Sequence, residues 1–155
     1  MQKKIPGFTL LELVVVLAVV SLLATLGVPS MQRYYEAMEY RGAVRELSSA
    51  VNKARQQAFV RGVPIDLLID HTANRYCLTS SQSGVTESDF TALPETLAIT
   101  VTYAAEVSSI PGMPAIRFYP SGGSSGGEVS IERQTGAGVT IEIDWLLGVA
   151  TETAL

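Results

Sequence analysis

The stretch Lys3-Lys4-Ile5-Pro6-Gly7-Phe8-Thr9-Leu10-Leu11-Glu12 leads into a predominantly apolar run of 21 residues, 8–28, whose one charge is Glu12. At ~1.5 Å per residue, a helix of that length spans the ~30 Å hydrocarbon core of a bilayer. A secretory signal peptide has a shorter apolar run, and its small-residue cleavage site follows the run. Here the small residue, Gly7, precedes it. A cut after Gly7 would remove residues 1–7 as a basic leader and keep residues 8–28 as a transmembrane helix. Lys3 and Lys4 favour a cytoplasmic N-terminus, although basic residues beyond the apolar run blur that rule.

Gly7-Phe8-Thr9-Leu10-Leu11-Glu12 resembles the class III signal of type IV pilins and pseudopilins. The resemblance implies that a prepilin peptidase cuts after Gly7 and methylates the new N-terminal residue, Phe8. It also implies that Glu12 matters for filament assembly. Glu12 stands out on physical grounds too. A carboxylate inside a membrane helix costs roughly 2.5–3.5 kcal/mol, so it is a functional candidate with a cation as its partner. A cut at Gly7 creates such a cation, the Phe8 amine, which a neighbouring subunit's Glu12 could neutralise. The alternative is that Glu12 snorkels to the headgroups.

The full chain of 155 residues has a single-domain length and a formal net charge of −4. Residues 30–61 hold six basic and three acidic side chains, a balance of +3. Residues 62–155 hold three basic (Arg75, Arg117, Arg133) and eleven acidic, a balance of −8. An acidic C-terminal part argues against a phosphate-binding surface there, so no nucleic-acid partner is expected. Cys77 is the one cysteine, which excludes an intramolecular disulfide; a lone cysteine is more often a small buried filler than a reactive group.

Beyond Pro29, Met31, Tyr34, Tyr35, Met38, Val44, Leu47, Val51, Ala54 and Ala58 mostly recur at three- and four-residue spacing, one apolar helix face. The helix is therefore expected to continue through residues 29–61, on the order of 80 Å in all. Gly62 and the Val63-Pro64 step supply the stop. Pro29, two residues after Gly27, predicts a kink or a locally melted turn. In pilins, the resemblance implies, the helix at this offset can unwind on assembly; a static kink is the alternative.

From Val63 the period changes to two. Val63, Ile65, Leu67 and Ile69 form one alternating row, Asp70-His71-Thr72-Ala73-Asn74 reads as a hairpin turn, and residues 75–79 as the return strand. Residues 80–95 read as a loop. Further strands are expected at 97–103, 116–119, 129–133, 139–145 and 149–153. Ser121-Gly122-Gly123-Ser124-Ser125-Gly126-Gly127 reads as a flexible connector, and without a following Lys-Ser/Thr pair it is not a phosphate-binding loop. The architecture is α+β: a long N-terminal helix, membrane-spanning in its first half, whose residues 43–59 help cover a β-rich head at 62–155. The sheet is expected to have one dry face and one wet face. Trp145 is expected in the core.

His71 is the one histidine and has no motif around it, so neither a Cys/His metal cluster nor a His-based triad is formed. Glu128, Glu132, Glu142 and Asp144 could offer oxygen ligands to a hard cation, but carboxylates on alternate strand positions are more often a solvated face. No enzyme, cofactor or metal is expected.

Ile116-Arg117-Phe118-Tyr119-Pro120 with the Gly/Ser stretch, the strand at 129–133, and Ile143-Asp144-Trp145-Leu146-Leu147-Gly148 resemble the GspH family, minor pseudopilins of the type II secretion system. Residues 47–69 resemble that family's passage from helix to head. The resemblance implies a head of two β-sheets on a single-pass, inner-membrane protein. It further implies a place near the tip of a periplasmic pseudopilus that helps export folded proteins across the outer membrane. Implied partners are other major and minor pseudopilins, the prepilin peptidase and the inner-membrane assembly platform, with the secretin and exoproteins as further contacts. Met31, Tyr34, Tyr35 and Met38 would pack against neighbouring subunits. The rival is a FimT-like minor type IV pilin acting in pilus priming or DNA uptake; residues 148–155 lack the basic side chains expected of those that bind DNA.

Overall fold

The computed structural model describes residues 8–80, 84–108, 110 and 112–155, with residues 24–33 described by their backbone alone. Thr9 starts the first element. Its Oγ1 accepts the N–H of Glu12 at 3.3 Å and its carbonyl accepts that of Leu13 at 3.3 Å, the cap expected of a Thr-x-x-Glu sequence. The helix α1 then runs over Leu10–Arg61. Gly62 ends it at φ +68, with its N–H on the Ala58 carbonyl at 3.0 Å, a left-handed closure that glycine adopts without strain. The backbone is helical through residues 27–29, so of the kink or melted turn expected at Pro29 the structure holds no melted turn. A proline removes one hydrogen bond, and the helical turns before and after it continue the element.

The chain divides into two compact units, 1–38 and 39–155. In the first, the side chains of α1 from Leu10 to Leu23 are exposed. Among the described residues no helix is long and apolar enough to cross a membrane. The expected span includes residues 24–28, whose side chains lie outside the described residues, as does the expected leader, including Gly7.

The second unit holds two four-stranded antiparallel sheets. β1 (Ile65–Asp70), β2 (Arg75–Ser80), β3 (Thr91–Ala92) and, after β4 (Leu97–Thr102), β5 (Ala115–Phe118) supply the first sheet in the order β3-β2-β1-β5. β4 joins β6 (Gly127–Arg133), β7 (Gly138–Ile143) and β8 (Ala150–Ala154) in the order β4-β6-β7-β8. The β1–β2 turn forms as its residues suggest: the Asp70 carboxylate accepts the N–H groups of Thr72 and Ala73 at 3.2 and 3.0 Å, and Asn74 takes φ 45. The Asn74 amide then donates to the Leu97 carbonyl at 2.8 Å, tying this turn to the start of β4.

One core joins both sheets to α1. Ala43, Val44, Leu47, Ala50, Val51, Ala54 and Ala58 meet inward rows that include Ile65, Leu67, Ile69, Phe118, Val129, Ile131, Ile141 and Ile143. Phe59, expected in the cover, is instead 72% exposed. It follows Ala58 directly, and a 100° step around the helix carries it off the buried face. The first sheet departs from the one-dry-face expectation. Its outer face buries Leu68, Cys77 and Ala115 beneath Val85, Phe90, Ile110 and Met113, so β1 is covered on both sides. Apolar Leu68 and Cys77 at outer positions are the sequence sign of that second layer.

Candidate functional site

Three groups of residues, exposed or singled out by the sequence, are candidates for function. At the start of α1, Phe8 is 80% exposed and Glu12 stands exposed in the first helical turn. There the free N–H groups and the helix dipole favour a negative charge. Further along, Tyr34, Tyr35 and Met38 are 64, 58 and 53% exposed, the two tyrosine rings meeting edge-on at 6.4 Å. They share the sequence stripe of Val44 and Leu47 without their burial. The side chains of Pro29 and Met31 lie outside the described residues.

The third group is on the head. The stretch 121–127 is a tied crossing between the sheets rather than a flexible connector. Tyr119 donates its N–H to the Gly123 carbonyl at 2.9 Å, Ser125 to that of Arg117 at 2.8 Å, and Ser124 to that of Trp145 at 2.8 Å. The Ser124 hydroxyl is buried; it donates to the Asp144 carbonyl at 2.9 Å and accepts the Gly126 N–H at 2.9 Å. Small residues are what this close approach needs: a Cβ on Gly123 would lie 3.0 Å from the Trp145 carbonyl oxygen. Composition suggested flexibility because the partners that fix Ser124, the carbonyls of Asp144 and Trp145, lie in the turn after β7, about twenty residues away in sequence.

That turn also overturns the expectation for Trp145, which is 67% exposed, followed by Leu146 at 61% and Leu147 at 59%. The alternating row of β7 ends at Ile143, and Asp144 starts the turn by accepting the N–H groups of Leu146 and Leu147 on its carboxylate at 2.8 and 2.6 Å. Beneath the first sheet, sequence reasoning missed a buried ion pair. Asp66 has no exposure and takes two hydrogen bonds from the Arg117 guanidinium, at 2.6 and 2.7 Å. The carboxylate's hydrogen bonds hold Arg117 above its already high range against the opposing effect of burial. The polar-in-alternation position of Asp66 read as a wet face; only the direct register of Asp66 with Arg117 shows the pair.

Residues 43–147, more than half of the chain, match the family described as Type II transport protein GspH. The chain belongs to that family. Residues 2–28 match the prokaryotic N-terminal methylation motif. A type II secretion system protein H of Xanthomonas campestris pv. campestris is 26% identical over 147 residues, covering 95% of this chain and 82% of that one. The minor pseudopilin EpsH of the Vibrio cholerae type 2 secretion system has the same fold, with a TM-score of 0.56 at 13% identity over 76% of this chain and 96% of that one. The type IV minor pilin FimU of Pseudomonas aeruginosa reaches a TM-score of 0.56 at 16% identity, over 74% of this chain and 96% of that one. GspH proteins are thus placed by sequence, while the fold alone is shared with a type IV minor pilin. The family is one of structural pseudopilin subunits rather than enzymes.

Proposed function

We propose that this chain is a minor pseudopilin of the type II secretion system, a low-copy subunit at or near the pseudopilus tip that acts through contacts rather than catalysis. The observation that carries this reading is the GspH match over residues 43–147, which covers most of the head and lies apart from the N-terminal motif at residues 2–28.

In this reading residues 1–7 are a leader, 8–28 a transmembrane helix, 29–61 its amphipathic continuation and 62–155 a periplasmic head. The prepilin peptidase cuts after Gly7 and methylates Phe8; the methylation-motif match over residues 2–28 supports that step. Loss of Lys3 and Lys4 keeps the filament joint free of leader charge, and the Phe8 amine meets a neighbour's Glu12 within the low-dielectric helix bundle, where such a pair is strong. The exposure of Tyr34, Tyr35 and Met38 supports a shaft-packing role, with Met31 on the same stripe and Pro29 marking the exit from lipid. Other pseudopilins, the inner-membrane assembly platform, the secretin and exoproteins are the partners.

A gene deletion tests this. Exoproteins should accumulate in the periplasm while surface pili and DNA uptake persist. The fold shared with FimU favours one rival, a minor pilin of the FimT kind. A deletion strain that secretes normally but loses twitching or transformation would establish that rival instead.

A further inference from the structure

Trp145, Leu146 and Leu147 form an exposed apolar turn between β7 and β8. Its backbone is held in place: the Asp144 carbonyl accepts both the Gly148 N–H at 2.8 Å and the Ser124 hydroxyl at 2.9 Å, in addition to the carboxylate bonds within the turn. Apolar side chains displayed on an ordered turn lose little further backbone entropy on binding. Trp145 lines an open groove of about 430 Å³ that also carries Glu128, Glu142 and Asp144. Glu128 and Glu142 face each other directly across β6 and β7, an arrangement that like charges destabilise. Among the described residues no lysine or arginine forms an ion pair with any of the three carboxylates. Nor, among those residues, do three acidic side chains converge closely enough to hold a metal ion. A phosphate-bearing surface would be repelled, whereas an indole face beside carboxylates attracts an organic cation.

We propose that the groove and the turn form one docking surface for a segment of a partner protein that presents an arginine or lysine beside apolar side chains. The cation lies over the Trp145 ring and relieves the Glu128–Glu142 repulsion, and Leu146 and Leu147 cover the neighbouring apolar groups. The surface lies wholly within residues 39–155, and its chemistry stands apart from the secretion reading.

Trp145 is the one tryptophan of the chain, so its emission reports on this surface directly. The full chain in dodecyl maltoside micelles is titrated with a six-residue peptide alternating arginine and leucine, and separately with one alternating glutamate and leucine. The basic peptide should change Trp145 emission saturably, with an effect that weakens as salt rises. Joint Glu128→Gln and Glu142→Gln substitution should weaken the response by about tenfold. Both side chains are exposed, and circular dichroism checks that the variant keeps its fold. An equal response to both peptides, an undiminished response in the variant, or no response overturns the proposal. So does an emission change that tracks protein concentration without peptide, which would mark a second copy of the chain as the occupant.

Discussion

Asp66 and Arg117 show how much a single pair holds here. They join β1 to β5 through two charge-assisted hydrogen bonds, and Arg117 also donates to the Val107 carbonyl at 3.1 Å. Removing one partner of a buried pair costs about 3–5 kcal/mol. The Arg117 side chain is 23% exposed, so water offsets part of the loss and about 3 kcal/mol is expected for Asp66→Ala. Replacing both residues, Asp66→Leu with Arg117→Met, should recover most of it. Denaturant unfolding followed by circular dichroism measures both, and a single-variant loss under about 1 kcal/mol contradicts the assignment. Cys77 offers a pH test. Burial first, then the Asp89 charge, push its thiol from an ordinary value near 9 up to about 11. The unfolded chain therefore releases this proton before the folded one does. The contribution is fully present below pH ~9 and is lost as pH climbs toward ~11. The thiolate is the nucleophile, so native protein at pH 8 should resist iodoacetamide and react only on unfolding; rapid native labelling would show an accessible thiolate.

At the scale of the element, the start of α1 separates structure from assembly. The Thr9 cap uses the backbone N–H of residue 12, not its side chain. Glu12→Leu therefore keeps the helix start, and in the proposed reading of residues 8–28 as a transmembrane helix it removes a charge that costs roughly 2.5–3.5 kcal/mol there, so insertion should hold or improve. Under the proposed amine pairing, co-assembly with other pseudopilins should fall, because a neighbour's Phe8 amine would lose its carboxylate. Crosslinking yields measure this, and wild-type yields from the variant would rule out the amine pairing. The same helix shows where a stripe stops being informative. Ala43 to Ala58 and Tyr34 to Met38 follow one spacing, yet the former are buried and the latter exposed. Periodicity reports which residues share a face, but not what covers that face.

For the whole molecule, charge distribution gives a test of the DNA-uptake rival. Residues 62–155 carry eight more acidic than basic side chains, and duplex DNA affinity rests mainly on phosphate neutralisation. The detergent-solubilised chain should bind duplex DNA weakly at physiological salt. Micromolar or tighter binding that falls steeply with salt in an electrophoretic shift assay would support DNA uptake.

The N-terminal motif, the extent of α1 and its stop at Gly62, the β1–β2 hairpin and the antiparallel head were legible in the residues. Each rests on local physics: a cap, a period, a turn residue, a charge beside an apolar run. The second sheet was suggested, but its strand order was not. Tertiary structure alone decided the Asp66–Arg117 pair, the covered outer face at Leu68 and Cys77, the tied crossing at Ser124 and the exposure of Trp145. The first three depend on partners distant in sequence, and the fourth on where β7 stops and the turn at Asp144 begins. Side-chain polarity at one position does not encode which distant group meets it. A serine reads the same whether its hydroxyl faces water or the carbonyl of Asp144, and a tryptophan reads the same whether its strand continues past Ile143 or turns there.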